Sequence, residues 1–203
     1  MPLEAGGGPS HYRGEESSMV IDSSGRKLIA HHSLDWQPPN PLESQLRLVR
    51  YTDMLCLPEV VDVTTSGSTG NYSSIALTAG GSVWIAYLHD FSGHGLLKVA
   101  RESFPSGCPW AFDLLDAGGR AGPPTLRISP QGVACISYSW RLNQLDEPVL
   151  KIVQNANGVW SDPIVVTENT TDACSLAFTS DGRPSVAFVG TGANAGLKYA
   201  ELW

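Results

Sequence analysis

Three dipeptides set a charged group beside a ring: Asp35-Trp36, His89-Asp90 and Trp140-Arg141. An aromatic face packs against the C–H groups of a sugar, while a neighbouring carboxylate or guanidinium fixes hydroxyls through directional hydrogen bonds. Carboxylates also stand at Asp35, Glu43, Asp90, Asp146 and Glu147. Two of them held about 5 to 10 Å apart across a cleft would suit the cleavage of a glycosidic bond, but the sequence alone brings no chosen pair together. The stretch "TSGSTGNYSS" from Thr65 bears glycine without the Lys-Ser/Thr ending of a phosphate loop, and it reads as a turn.

All these residues fall in the gaps of a repeated pattern. "SMVIDSSGRKLIAHHS", "SIALTAGGSVWIAYLH", "TLRISPQGVACISYSW" and "SLAFTSDGRPSVAFVG" each carry an alternating apolar run, a turn with Gly25, Gly81, Gly132 or Gly182, and a second run. A period of two around a glycine turn is a hairpin signal. The turns recur every 50 to 56 residues. Each hairpin leads to a third run, "LRLVRY", "LKVARE", "LKIVQN" or "LKYAEL", whose second residue is always basic: Arg47, Lys98, Lys151 and Lys198. Alternation points that base away from its apolar neighbours, so a solvated face is expected for it. Fourth runs follow in three units, "PEVVDV", "WAFDLLDA" and "SDPIVVTE".

Four strands per unit at this period predict an all-β fold, a β-propeller of four four-stranded blades in one domain spanning 1–203. The repeats are expected at 18–63, 73–116, 125–167 and 174–203, after an N-terminal segment 1–17. The last unit lacks a fourth run. Residues Pro2 to Ala5 are therefore expected to close the ring as the outer strand beside Leu197 to Leu202, with Trp203 packing as Trp160 does. An eight-bladed ring of two chains stays open, so a homodimer does too. The loops joining second and third strands then share one face with Asp35, Trp36, His89, Asp90, Trp140 and Arg141, the expected address for recognition. The loops feeding the first strands add His11, Tyr12, Arg13, Asn71, Tyr72 and "AGGRAGPP" from Ala117. His31-His32 and His89 with His94 invite a zinc site, but His31 takes the ring position of Tyr87, Tyr138 and Phe188 and is expected to pack. No metal or cofactor is expected.

Composition narrows the classes of function. The chain is 42% hydrophobic and 16% charged, a well-packed composition, and its formal net charge of -7 disfavours nucleic acid, whose binding rests on cationic neutralisation of phosphates. No run of apolar residues is long enough for a membrane span. Cys56, Cys108, Cys135 and Cys174 show no paired metal or redox spacing. The opening "MPLEAGGGPSHYRGEE" has neither the basic nor the apolar region of a signal peptide, and the compartment stays open.

The unit, in "SLAFTSDGRPSVAFVG...LKYAELW" and "SIALTAGGSVWIAYLH...LLKVAR", resembles the blades of bacterial and fungal propeller lectins and of sialidase-like (BNR-type) repeat families. That resemblance implies glycan binding on loop pockets or sialoside hydrolysis in a central cleft. "TSDGRP" at Thr179 lacks the closing aromatic of the sialidase Asp-box, so no catalytic residue carries over. The expectation is a carbohydrate-binding, lectin-like module without catalysis, taking a neutral or weakly polar glycan on one loop face. A small glycoside hydrolase and a structural or protein-interaction propeller are the alternatives.

Overall fold

Each repeat begins with the same hairpin, built the same way. The computed structural model describes residues 12–35, 43–51, 56–91, 93–103 and 110–202. In its four hairpin turns Gly25, Gly81, Gly132 and Gly182 adopt φ of +83° to +87°, a region that costs a residue with a Cβ about 1–2 kcal/mol. Three residues before each glycine, an oxygen of Asp22, Thr78, Ser129 or Thr179 accepts the N–H of Arg26, Ser82, Val133 or Arg183 at 3.0–3.1 Å. A side-chain acceptor and a glycine thus specify every reversal.

The first sheet is β1 (Tyr12–Ile21), β2 (Lys27–Asp35), β3 (Glu43–Tyr51) and β4 (Cys56–Thr64), and the second is β5 (Ser68–Leu77), β6 (Val83–Phe91), β7 (His94–Glu102) and β8 (Trp110–Asp116). The third contains β9 (Arg120–Ala121), β10 (Thr125–Ile128), β11 (Ala134–Arg141), β12 (Val149–Ala156), β13 (Val159–Trp160) and β14 (Ile164–Thr167). β9 and β10 both pair with β11, and β13 and β14 both pair with β12. Prolines lack the ladder N–H, and Pro123-Pro124 and Pro163 fall at these two interruptions. The fourth sheet is β15 (Thr170–Phe178), β16 (Pro184–Gly190) and β17 (Gly196–Glu201). All pairings are antiparallel.

Apolar clusters fill the spaces between consecutive sheets. Leu28, Leu46, Leu48, Ile75, Ile85 and Tyr87 join the first to the second. Leu97, Val99, Leu126, Ile136 and Tyr138 join the second to the third. Leu150, Ile152, Leu176, Val186 and Phe188 join the third to the fourth.

The expected closed ring of four four-stranded blades is corrected here. The sheets hold four, four, six and three strands, and no comparable packing joins the fourth sheet to the first among the described residues. Alternation dictates which side chains face a neighbouring sheet. It does not dictate how many strands a sheet keeps or whether the stack closes. Pro2 to Ala5 and Trp203, on which closure was to rest, lie outside the described residues. Among the described residues no helix is long and apolar enough to cross a membrane, and Cys135 and Cys174 are free thiols.

Candidate functional site

The first strand of each hairpin lines a central space. Ser18, Ser74, Thr125 and Ser175, equivalent in the repeats, all border a cavity of about 480 Å³. The same residues tie the sheets together: Ser18 Oγ accepts Ile75 N–H and Ser74 Oγ accepts Leu126 N–H, both at 3.0 Å, while Thr125 Oγ1 donates to Cys174 O.

Just before these residues the strands are irregular. Register shifts fall between Glu15 and Ser18, between Asn71 and Ser74, and between Thr170 and Cys174. Glu16 and Tyr72 sit there with φ of 49° and 51°, left-handed without being glycine. Bulges re-aim side chains, and strained residues gather at functional sites. Glu16 Oε2 accepts the Tyr72 N–H at 2.7 Å, so the two distortions support each other.

Tyr72 lines a cavity of about 240 Å³ with Arg120, Gly122, Arg141, Gln144 and Asp172. Asp172, on the third bulge, accepts Ser139 Oγ at 2.7 Å and an ion pair from Arg141 Nη2. Partial burial pushes the Asp172 carboxyl up, but the Ser139 and Arg141 hydrogen bonds outweigh it and hold it below the ordinary carboxylate range. This group stays anionic at neutral pH, next to a guanidinium and at the rim of a cavity. Glu16 is the second carboxylate at this end, attached through the backbone of a residue that lines the same space.

The sequence-derived residues distribute over this end of the sheets. Arg141 reaches the cavity. Its neighbour Trp140 packs against the apolar cluster between the second and third sheets, with Lys151 Nζ 3.6 Å above its ring centroid. His89 is half-buried on β6; burial, reinforced by the charge of Lys98, lowers its pKa below the ordinary histidine value. Asp90 follows it, opposite Ser68 on β5. Asp35 ends β2 opposite Glu43, and Trp36 lies outside the described residues. His31 is buried, its Nδ1 3.0 Å from His32 O, and His32 Nε2 lies 3.0 Å from Ser44 Oγ. Among the described residues no three His, Cys, Asp or Glu side chains gather in one place.

Of the basic residues expected on a solvated face, Arg47, Lys98 and Lys151 prove to be partly buried and only Lys198 is exposed, and Lys98 and Lys151 meet an acid of the preceding sheet. Asp62 Oδ2 accepts Tyr87 OH at 2.7 Å and Lys98 Nζ at 2.6 Å. One interface on, Asp116 Oδ2 accepts Tyr138 OH at 2.9 Å and Lys151 Nζ at 3.0 Å. Of the residues lining the cavity, Arg141 was a sequence-derived site residue and Tyr72 and Arg120 stood in segments named from the sequence, whereas Glu16, which holds Tyr72, and Asp172 were not expected there. Their signal was alignment: they precede Ser18 and Ser175 by two and three residues, as Tyr72 precedes Ser74 by two.

No family model and no curated protein matches the chain. Solved structures do. A protein of unknown function from Dyadobacter fermentans DSM 18053 is 14% identical over 96% of this chain and 70% of its own, with a TM-score of 0.66. The α-L-arabinanase of Penicillium chrysogenum, solved with arabinobiose, is 13% identical over 92% of this chain and 62% of its own, with a TM-score of 0.59. The endo-arabinase of Bacteroides thetaiotaomicron VPI-5482 is 9% identical over 92% of this chain and 74% of its own, with a TM-score of 0.56. These likenesses are likenesses of fold, and they correct the resemblance to propeller lectins and sialidase-like repeats. That resemblance rested on packing positions, which any stack of such sheets shares. The expectation of a module without catalysis is corrected with it, since the named proteins of similar fold include an α-L-arabinanase and an endo-arabinase and no lectin.

Proposed function

We propose that the protein hydrolyses glycosidic bonds at the cavity bordered by Tyr72, Arg120, Arg141 and Asp172. The observation that carries this reading is that Asp172 on β15 lines this cavity with Tyr72, whose N–H is held by a second carboxylate, Glu16 on β1. Solved enzymes of similar fold that act on arabinan lend it support. Asp172, kept anionic by Arg141 and Ser139, serves as the base that takes a proton from the attacking water. Glu16, fixed by the Tyr72 N–H, gives a proton to the departing glycosidic oxygen. Water's oxygen bonds to the anomeric carbon as the C–O bond to the leaving sugar breaks, and each carboxyl ends with the other's protonation state. Asp90 at the end of β6 and Arg141 at the end of β11 contact sugar hydroxyls.

Release of reducing ends from a panel of plant and bacterial polysaccharides tests the proposal. Glu16→Gln and Asp172→Asn should each lower turnover by about 10²- to 10⁴-fold while leaving the thermal midpoint within a few degrees. Turnover equal to wild type in both variants, or none from the wild-type protein across the panel, overturns it.

A further inference from the structure

The cavity contains more positive charge than its own residues use. Arg120 on β9 and Arg141 on β11 are directly opposite each other in the antiparallel ladder, so both side chains leave the sheet on the same face. Both line the cavity with Tyr72, Gln144 and Asp172. Like charges placed opposite each other destabilise a sheet unless something offsets them. Asp172 offsets Arg141. The Arg120 side chain makes no hydrogen bond or ion pair among the described residues. Its guanidinium stands about 4.0 Å from where a Cβ on Gly93 would be, in the connection between β6 and β7.

We infer that Arg120 binds a carboxylate on the sugar itself, so that the glycan handled at this site contains a uronic acid. This deepens the reading given above and rests on it for the location of the site. A guanidinium fork can match a carboxylate through two parallel hydrogen bonds, and Arg141 beside it already holds the Asp172 carboxylate through Nη2. One carboxylate per sugar is also compatible with a chain of net charge -7, which repels densely sulfated polyanions. The neutral glycan expected from the sequence leaves Arg120 facing Arg141 with no counter-charge.

Calorimetric titration of the Glu16→Gln variant, in which turnover is suppressed, separates binding from catalysis. The probes are a galacturonate trisaccharide, a glucuronate-bearing xylo-oligosaccharide, the methyl ester of each, and a sulfated oligosaccharide of the same length. At least one free acid should bind about tenfold or more tightly than its ester. Adding Arg120→Ala should abolish that preference, and Arg120→Lys should restore part of it. Equal affinity for acid and ester, no binding of either acid, or a preference that survives Arg120→Ala overturns the inference. Tighter binding of the sulfated probe overturns it as well, by assigning the anion to sulfate. Acid preference without any turnover by the wild-type protein would sink the hydrolase and leave the uronate site standing. Turnover of neutral glycans without acid preference would do the reverse.

Discussion

Asp62 shows how one carboxylate can hold two sheets. It leaves β4 and takes hydrogen bonds from Tyr87 and Lys98 of the next sheet and from Thr69 Oγ1 at 3.2 Å. Burial pushes its carboxyl up, but the bonds from Lys98 and Tyr87 prevail and keep it below its ordinary value of 3.8. A carboxyl depressed in the folded state stabilises the protein above the unfolded value, and that stabilisation is lost as pH falls through the folded one. Asp62→Asn leaves Lys98 half-buried without its counter-charge and should cost about 1–3 kcal/mol at pH 7. Urea unfolding at pH 7 and again below pH 3.8 should show the gap to wild type narrowing at the lower pH. A gap that does not change with pH would mean that the charge on Asp62 contributes nothing. The third interface has no such group: Thr167 and Phe188 stand where Asp116 and Tyr138 stand one repeat earlier, and a cavity of about 370 Å³ borders them and Lys198.

At the scale of the element, turns and bulges tolerate change differently, because different things surround them. Gly81 and Gly70 have similar φ, +83° and +92°. A Cβ on Gly81 would meet nothing within 4 Å, whereas one on Gly70 would lie 2.8 Å from Leu46 Cα in the neighbouring sheet. Gly81→Ala should therefore cost only the left-handed penalty of about 1–2 kcal/mol. Gly70→Ala adds a backbone clash between sheets and should cost roughly 2 kcal/mol more. Denaturant midpoints of the two variants measure the difference, and equal losses would mean that β5 shifts away from Leu46 freely. The same close approach explains why the start of β5 follows a path that Tyr72 must complete in a left-handed conformation. The strand is pinned at Gly70 and tied again at Ser74, whose Oγ accepts Leu126 N–H. The functional end of the sheet is shaped between those two points.

For the whole molecule, stability should decline from the middle of the stack to its end. β6 and β11 lie inside the first two intersheet clusters, with Ile85, Ala86, Tyr87, Ile136 and Tyr138 fully buried. β17 pairs with β16 alone among the described residues, and Leu197 and Tyr199 are 81% and 73% exposed. Local opening therefore costs least at the fourth sheet. Native-state hydrogen exchange should find β17 amides exchanging at least about 10²-fold faster than those of β6 and β11. Protection in β17 equal to that in β6 would mean that the four sheets open as a single unit. Asp172 belongs to β15 in this outer sheet, so the cavity joins a firm wall to a softer one.

The sequence alone determined the local rules. Period-two alternation and the glycines at positions 25, 81, 132 and 182 made the hairpins legible, since strand geometry and positive φ are properties of neighbouring residues. The repeat spacing made the division into four sheets legible for the same reason. What needed the tertiary structure was everything settled between repeats. Whether a basic residue on a third strand meets solvent or an acid depends on the outer strand of the preceding sheet, so Lys98 and Lys151 were misread while Lys198 is exposed. Whether the stack closes depends on how each sheet twists against the next. The pairing of Arg120 with Arg141 and the approach of Asp172 to Arg141 join residues about 20 and 30 positions apart through a cross-strand register and an intersheet contact. Composition and periodicity do not encode either one, because both measure a residue against its own strand and not against the one beside it.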